Sequence, residues 1–276
     1  MDAIAELNVN KVSDLVDEFA TLLKVICETE PKFGVLNYYF NNLLSDFKNN
    51  VAKNEKSVKH GKRIIIKRIK EILKEAKRSK QEVLHNAEEL DVEGKTILIH
   101  DHSHTVQDVL VHYKKLGRKF RVVIAEQDFD KTHANIERMH KAKIPFQVVP
   151  SYMLSHVHEQ IDMLFFGAVT LKDTMNFVMS PGTASIIAEF HLVDVPTFLF
   201  FDVSKFSLWK SGERGEIFIH KHKRTHHSKP IQYDRIKYSH DRVPAKMFER
   251  VVTNMGVLNF KKLQELFEKR MKDYKL

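Results

Sequence analysis

In the second half of the chain, short apolar runs end in side chains that can transfer protons. The segment His100 to Ser103 follows the run that begins at Thr96, and Glu126 follows the next run. Carboxylate and imidazole groups are the usual general acids and bases of enzymes near neutral pH. If the chain is an enzyme, Asp101, His102 and Glu126 are therefore its candidate catalytic residues.

A second set of residues has the chemistry to hold an anion. Gly182 and Thr183 stand at the predicted start of a helix, where free backbone N–H groups attract negative charge. Lys205 follows a later apolar run and adds a cation. The expected ligand-binding residues are His100, Ser103, Gly182, Thr183 and Lys205. In the alternative, Gly182 only permits close packing, Thr183 caps the helix, and Lys205 pairs with Asp202 or Glu126.

Three alternating histidines, His100, His102 and His104, raise the question of a metal site. Alternation in an extended segment would put His100 and His102 on one side. Zinc needs three or four converging ligands, whereas His102 and His104 run into a predicted helix start. We therefore predict no metal site. Further histidines lie in the basic passage 210–229, which is predicted to be a surface loop or hairpin.

The N-terminal third has the apolar spacing of amphipathic helices. Residues such as Val12, Leu15 and Phe19 recur every three or four positions, which is typical of a helix with one buried face. The pattern predicts helices over 12–30, 37–53 and 57–90. A helical domain is therefore expected over residues 1–92, and a second domain over residues 93–276.

After Gly94 the pattern changes to short apolar strands that alternate with helices. The predicted strands are 96–100, 122–125, 146–149, 163–166 and 197–201, and the predicted helices 106–116, 133–143 and 184–192. Continuous Val, Ile, Leu and Phe runs indicate a parallel sheet that is covered on both faces. The fold class is thus α/β: helices first, then a Rossmann-like, doubly wound, mostly parallel sheet. Two C-terminal helices are expected over 244–255 and 260–274.

Two nucleotide-binding fingerprints are missing from the strand ends. The sequence has neither Gly-x-Gly-x-x-Gly after a strand nor the Gly-x-x-x-x-Gly-Lys-Ser/Thr loop, which hold dinucleotides and nucleoside triphosphates respectively. No cofactor is therefore predicted. Ligands are nevertheless expected at the carboxyl ends of the strands, as in other doubly wound sheets.

Composition restricts the setting and the partners. The 276 residues are 43% hydrophobic, and the single cysteine excludes an intrachain disulfide, which suits a reducing compartment. No apolar run approaches the length of a membrane span, so we expect a cytoplasmic protein with no membrane contact.

The net charge of +9 is concentrated in 53–80, 114–121 and 210–229. It favours acidic partners, and binding of nucleic acid stays open.

Several motifs together resemble the family of eukaryotic translation initiation factor 2B alpha, beta and delta subunits. They are Lys95 to His100 with Ser103, Val123 to Glu126, Gly167-Ala168 followed by Gly182-Thr183, Pro196 with Asp202-x-x-Lys205-Phe206, and Val243 to Gly256. The resemblance covers nearly the whole chain. It implies a helical N-terminal domain, a Rossmann-like C-terminal domain and dimers formed through the latter.

The same family contains isomerases of methylthioribose 1-phosphate and ribose 1,5-bisphosphate. The resemblance implies that these enzymes carry a cysteine and an aspartate at positions that here are Asp101 and Val169. It also implies an Asn-Gly and an Asn-Lys where Thr174-Met175 and Met179-Ser180 stand. One carboxylate without its partner cannot supply the acid and base pair that isomerisation needs.

The sequence therefore predicts a non-catalytic regulatory or scaffold protein of the initiation factor 2B type. Its expected partners are a second copy or related subunits, a translation initiation factor, and a nucleotide or sugar phosphate in a cleft at the carboxyl ends of the strands. The alternative is a sugar-phosphate isomerase-like enzyme with altered active-site residues, again Asp101, His102 and Glu126.

Overall fold

The N-terminal region is built from three amphipathic helices, as predicted. The computed structural model describes residues 4, 6–28, 34–50, 57–208, 219–225 and 232–273. The helices are α1 (Val12–Glu28), α2 (Gly34–Asn50) and α3 (Val58–Ala87). Their apolar faces meet in one cluster that includes Leu15, Phe19, Leu43, Ile65 and Ile72. Burial of these faces, rather than helix propensity alone, stabilises the helices.

The C-terminal region contains the predicted α/β sheet. The strands of this region, which belong to three sheets, are β1 (Thr96–Ile99), β2 (Arg121–Glu126), β3 (Phe146–Pro150), β4 (Met163–Gly167), β5 (Thr170–Leu171), β6 (Asn176–Met179), β7 (Thr197–Phe201), β8 (Ile219–Thr225), β9 (Gln232–Tyr238), β10 (Asp241–Pro244), β11 (Arg250–Thr253) and β12 (Gly256–Leu258). Its helices are α4 (His104–Lys115), α5 (Phe129–Lys141), α6 (Thr183–His191) and α7 (Phe260–Asp273). A 3-10 helix, Ser151–Gln160, follows β3.

The main sheet has the order β12-β11-β7-β4-β1-β2-β3, and every pair except β11 with β12 is parallel. Buried residues on its two faces form separate hydrophobic clusters. Strands covered on both faces need apolar side chains at successive positions, which explains the continuous apolar runs. The predicted Rossmann-like class is confirmed.

The helix predicted over 244–255 is wrong. This segment contains the end of β10, a 3-10 turn at Ala245–Met247, and β11. Val251 and Val252 are both buried, because β11 pairs with β7 and is covered on both faces. Two adjacent β-branched residues suit such a strand, and the apolar spacing around them imitates a helical period.

The segment from Gly167 to Thr183 contributes a hairpin to a small three-stranded sheet. Strands β5 and β6 form an antiparallel hairpin, and β10 pairs with β6 on its other side. Phe177 and Met179 of β6 are buried in the core. Phe177 and Met179 thus pack in a layer beside the main sheet, whereas Val169 is 38% exposed.

Strand β8 lies in the basic passage and forms an antiparallel hairpin with β9, which follows the passage; of the two predicted forms, loop or hairpin, the described residues show the hairpin. His220 and His222 lie on β8. Residues 210–218 and 226–229 of this passage, with His226 and His227, lie outside the described residues. Helix α7 agrees with the predicted C-terminal helix.

The last turns of α3 belong to the sheet rather than to the N-terminal cluster. Leu84 and Ala87 pack in the same cluster as β1 and β2, and the Asn86 amide donates to the Thr253 carbonyl at 2.7 Å. The division of the chain at residue 92 stays a prediction.

Candidate functional site

The carboxyl ends of four neighbouring parallel strands define the candidate site. His100 to Ser103 follow β1, Gln127 and Asp128 follow β2, Ala168 follows β4, and Asp202 to Lys205 follow β7. The start of α6 faces the first two loops. We call this region the strand-edge cleft.

Each ring nitrogen of His100 faces a backbone carbonyl oxygen. It is buried, with Nδ1 at 3.4 Å from the Ala125 carbonyl oxygen and Nε2 at 3.3 Å from that of Pro181. Burial lowers the pKa of His100, although the two carbonyls act in the opposite direction. The imidazole is therefore favoured in its neutral form, whose single ring N–H can donate to only one of these two carbonyls.

Asp101 lies in a constrained turn and faces a lysine. Its φ is +30°, a backbone conformation that residues with a side chain rarely adopt. Its Oδ1 is 3.3 Å from Lys131 Nζ, which also donates to Ser180 Oγ at 3.1 Å. The Asn135 amide donates to the Asp101 carbonyl at 3.2 Å, and the Gln107 amide donates to Asn135. This network fixes the loop after β1.

The other two candidate catalytic residues do not join that network. The ring of His102 packs edge-to-face on His104, with centroids 4.6 Å apart. Burial lowers the pKa of His102, and the charge of His104 lowers it further. The side chain of Glu126 is exposed. Within the described residues, neither side chain forms a hydrogen bond or ion pair with another member of the candidate set.

Ser103 has a local structural role. Its side chain accepts a hydrogen bond from Val106 N at 3.4 Å and caps α4. Gly167 lies directly opposite Ser103. A Cβ added to Gly167 would lie 2.1 Å from Ser103 Oγ. Glycine at the end of β4 is therefore required by the approach of Ser103.

The start of α6 is occupied by a carboxylate from the chain itself. Gly182, at φ +93°, precedes the helix, and Thr183 is its first residue, with a buried hydroxyl that has no hydrogen-bond partner in the described structure. Asp241 Oδ2 accepts a hydrogen bond from Ala184 N at 2.9 Å. An acidic side chain thus lies where a bound anion was expected.

Lys205 is directed at the backbone rather than at Asp202 or Glu126. Its Nζ donates to the Ala168 carbonyl at 3.2 Å and lies 5.8 Å from the centre of the Phe201 ring. Burial lowers its pKa, partly offset by the charge of Asp202. The Asp202 carboxylate itself accepts hydrogen bonds from Ser79 of α3 and from Ser204 N.

Three residues that sequence reasoning did not select complete the cleft. They are Gln127, whose amide donates to the Pro181 carbonyl at 3.1 Å, Lys131 and Asn135. Lys131 and Asn135 lie on α5 rather than at a strand end. A helix of 3.6 residues per turn puts positions 131 and 135 on one face. This spacing is the feature of the sequence that could have indicated that both side chains face the cleft.

The described residues contain no group of three His, Cys, Asp or Glu side chains placed to hold a metal ion. Among their helices, none has the length and apolar character that crossing a bilayer requires.

A family model identifies the relationship. The model of the initiation factor 2 subunit family matches residues 1–260. The chain belongs to this family. Of its curated relatives, the Schizosaccharomyces pombe eIF2B delta subunit is 27% identical over 130 residues, 46% of this chain and 27% of that protein. The Dictyostelium discoideum eIF2B alpha subunit is 24% identical over 128 residues, 45% of this chain and 40% of that protein. Each match therefore spans less than half of the relative.

Solved structures share the fold over nearly the whole chain. A Pyrococcus horikoshii OT3 translation initiation factor eIF-2B has a TM-score of 0.74 at 17% identity, covering 94% of this chain and 86% of its own. The tetrameric eIF2B beta2-delta2 complex of C. thermophilum gives 0.73 at 18% identity, with 97% and 84% covered. The 5-methylthioribose 1-phosphate isomerase of P. horikoshii gives 0.70 at 18% identity, with 98% and 79% covered. The fold thus occurs in both translation factors and an isomerase.

Proposed function

We propose that this family member is a non-catalytic regulatory or scaffold subunit that assembles in the cytoplasm with a second copy or with related subunits. One observation carries the proposal: four polar residues of the strand-edge cleft, His100, Asp101, Gln127 and Lys131, already lie against other groups of the cleft. Gln127 donates to the Pro181 carbonyl, which His100 Nε2 also faces at 3.3 Å, and Lys131 lies between Asp101 and Ser180.

Catalysis would need an acid and a base that are both free to reach a substrate. Asp101 is engaged by Lys131, and within the described residues neither His102 nor Glu126 forms a coupled acid and base pair with another candidate residue. Val169, which stands where the resemblance implies an aspartate in the isomerases, has no ionisable group. These points favour a subunit over an isomerase-like enzyme.

The cleft is proposed to take a nucleotide or sugar phosphate weakly. The expected contacts are the residues His100, Ser103, Gly182, Thr183 and Lys205. A phosphate at the start of α6 would have to displace the Asp241 carboxylate from Ala184 N. Weak binding is therefore expected, which suits a sensor of abundant metabolites more than a tight cofactor site.

The test combines three measurements on the full chain. Light scattering gives the oligomeric state, thermal shift with phosphosugars and nucleoside monophosphates gives binding, and product analysis with methylthioribose 1-phosphate and ribose 1,5-bisphosphate gives turnover. We expect an oligomer and no turnover. A ligand at 100 times its Kd would stabilise the fold by about 2.7 kcal/mol.

Turnover that Asp101→Ala abolishes would overturn the proposal in favour of the isomerase-like enzyme. Asp130→Ala is the matched control, because Asp130 is an exposed carboxylate in the first turn of α5. A monomer that binds no related subunit would contradict the scaffold role.

A further inference from the structure

The N-terminal helices leave an apolar groove open on their surface. It has a volume of about 590 Å³ and is lined from all three helices, with Leu22 of α1, Leu36 and Phe40 of α2, and Leu73 of α3 among its residues. Leu22 and Leu36 are each 43% exposed, and Leu73 is 52% exposed. Contiguous exposed apolar surface of this kind marks an interaction site more often than chance exposure does.

A line of basic residues runs along α3 beside this groove. The line, which we call the basic stripe, consists of the exposed residues Lys59, Arg63, Lys67, Lys70, Lys74 and Lys77. Their separations of three and four positions put them on one helix face. At 1.5 Å per residue, the stripe is about 27 Å long.

The groove and the basic stripe share a border. Lys70 and Lys77 stand three and four positions from Leu73, so they flank it on the helix surface. The neighbouring carboxylates are already engaged, since Arg68 lies within 3.7 Å of both Glu71 and Glu75. In the described part of the chain, no carboxylate lies within ion-pair distance of Lys70, Lys74 or Lys77.

We propose that the groove and the basic stripe together bind an acidic amphipathic helix of another protein. Leucine-type anchors would enter the groove, as amphipathic helices do in other helix-in-groove complexes. Aspartate or glutamate residues along one side of that helix would face the basic stripe, which provides the complementary charge. The stripe matches about five turns of such a helix.

Other occupants fit the two features less well. In a symmetric pair of copies the same patch faces itself, so two basic stripes would repel. Nucleic acid would use the charge but leave the groove empty, and the stripe carries no aromatic residue for base stacking. An anionic membrane favours a protruding apolar face, whereas this apolar surface is concave.

The test uses a fluorescent 18-residue helical peptide with leucines at i, i+3, i+4 and i+7 and glutamates beside them. Two reference peptides replace either the glutamates by lysine or the leucines by glutamine. Anisotropy with the full chain should show binding of the first peptide alone, weakened by added salt. Equal binding of all three peptides, or of none, would overturn the proposal.

Two variants locate the contact. Lys70→Gln with Lys74→Gln and Lys77→Gln should raise the peptide Kd about tenfold, the sum expected for three exposed ion pairs. Leu73→Gln should raise it by a similar factor through loss of an apolar anchor. All four positions are exposed, so little change in stability is expected, and circular dichroism melts verify it.

Matched controls come from the C-terminal region. Lys114→Gln with Lys115→Gln and Lys119→Gln removes the same charge, and Leu116→Gln removes a leucine that is 48% exposed; these should leave the Kd unchanged. An equal effect of the control set would show non-specific attraction and overturn the proposal.

Alternative occupants are tested with single-stranded RNA and with phosphatidylserine vesicles. If either binds through the basic stripe and the peptide does not, the proposed partner is wrong. The surface uses no residue of the strand-edge cleft, so this result and that of the turnover test are independent.

Discussion

Gly167 and Ser103 approach so closely that a methyl group has no room at the end of β4. A Cβ on Gly167 would lie 2.1 Å from Ser103 Oγ and 2.8 Å from Ser103 Cβ. Overpacking of this kind costs about 1–3 kcal/mol. We expect Gly167→Ala to lower the free energy of unfolding by that amount, measured by urea denaturation.

A double-mutant cycle tests whether the cost arises at this contact. Ser103→Gly removes both conflicting atoms and costs only a few tenths of a kcal/mol as a helix cap, so it should recover most of the loss. Gly117→Ala is the control, because its Cβ would meet nothing within 4 Å and only its φ of +81° opposes the change. Additive effects at 167 and 103 would contradict the proposed clash.

His100 should make stability depend on pH. Burial lowers its pKa below the value of about 6.5 expected in the unfolded chain, so the unfolded state takes up the proton first as pH falls. The stability that neutral His100 contributes is present above pH 6.5 and is lost below it. In urea melts between pH 7 and 5, His100→Gln should therefore reduce the pH slope of the unfolding free energy. His133→Gln, at a half-exposed residue, serves as the control. Equal slopes for wild type and His100→Gln would exclude this role.

The strand ends were predictable because apolar runs that stop at polar residues have a clear signature. Their mutual contacts were not. Lys131 approaches Asp101 from another element, and Asp241 reaches α6 from a strand that sequence reasoning did not predict. Such pairings depend on the order of strands in space, which local spacing does not specify.

At the scale of elements, the start of α6 is held by β10. Asp241 accepts the hydrogen bond from Ala184 N, and its charge suits the positive end of the helix. Asp241→Ala should lower stability by about 1 kcal/mol and free the helix start for anions. Inorganic phosphate should then raise the Tm of Asp241→Ala more than that of wild type. Asp17→Ala, at an exposed carboxylate on α1, should show no such difference. Equal phosphate effects in all three proteins would place any anion elsewhere.

Elements with a repeated or continuous apolar pattern were predicted well, and elements without one were not. Helices α1 to α3 repeat their apolar spacing over several turns, and β1, β2, β4 and β7 are continuous apolar runs between turn residues. The segment 244–255 offers only Val251-Val252 as a strand signal. Its pairing with β7 decides the structure. Because that contact joins residues distant in sequence, the local pattern does not reveal it.

At the scale of the whole molecule, α3 joins two packed units. Its early residue Ile65 packs with α1 and α2, whereas Leu84 and Ala87 pack with the sheet. The Tyr113 hydroxyl donates to the Ala87 carbonyl at 2.5 Å, and Asn86 reaches Thr253. A fragment that begins at the predicted boundary would lose Leu84, Ala87 and Val92 from the sheet's core.

We therefore expect fragment 78–276 to be more stable than fragment 93–276. Burial of a leucine and a valine contributes on the order of 4 kcal/mol, and the Tyr113 hydroxyl would also lose its acceptor. Urea melts followed by near-ultraviolet circular dichroism provide the comparison. Leu84→Ala in fragment 78–276 should lower its stability toward that of the shorter fragment, while Lys80→Ala, an exposed change, should lower it less. If both fragments melt alike, the last turns of α3 contribute nothing to the sheet domain, and its boundary lies at residue 92 as the sequence predicts.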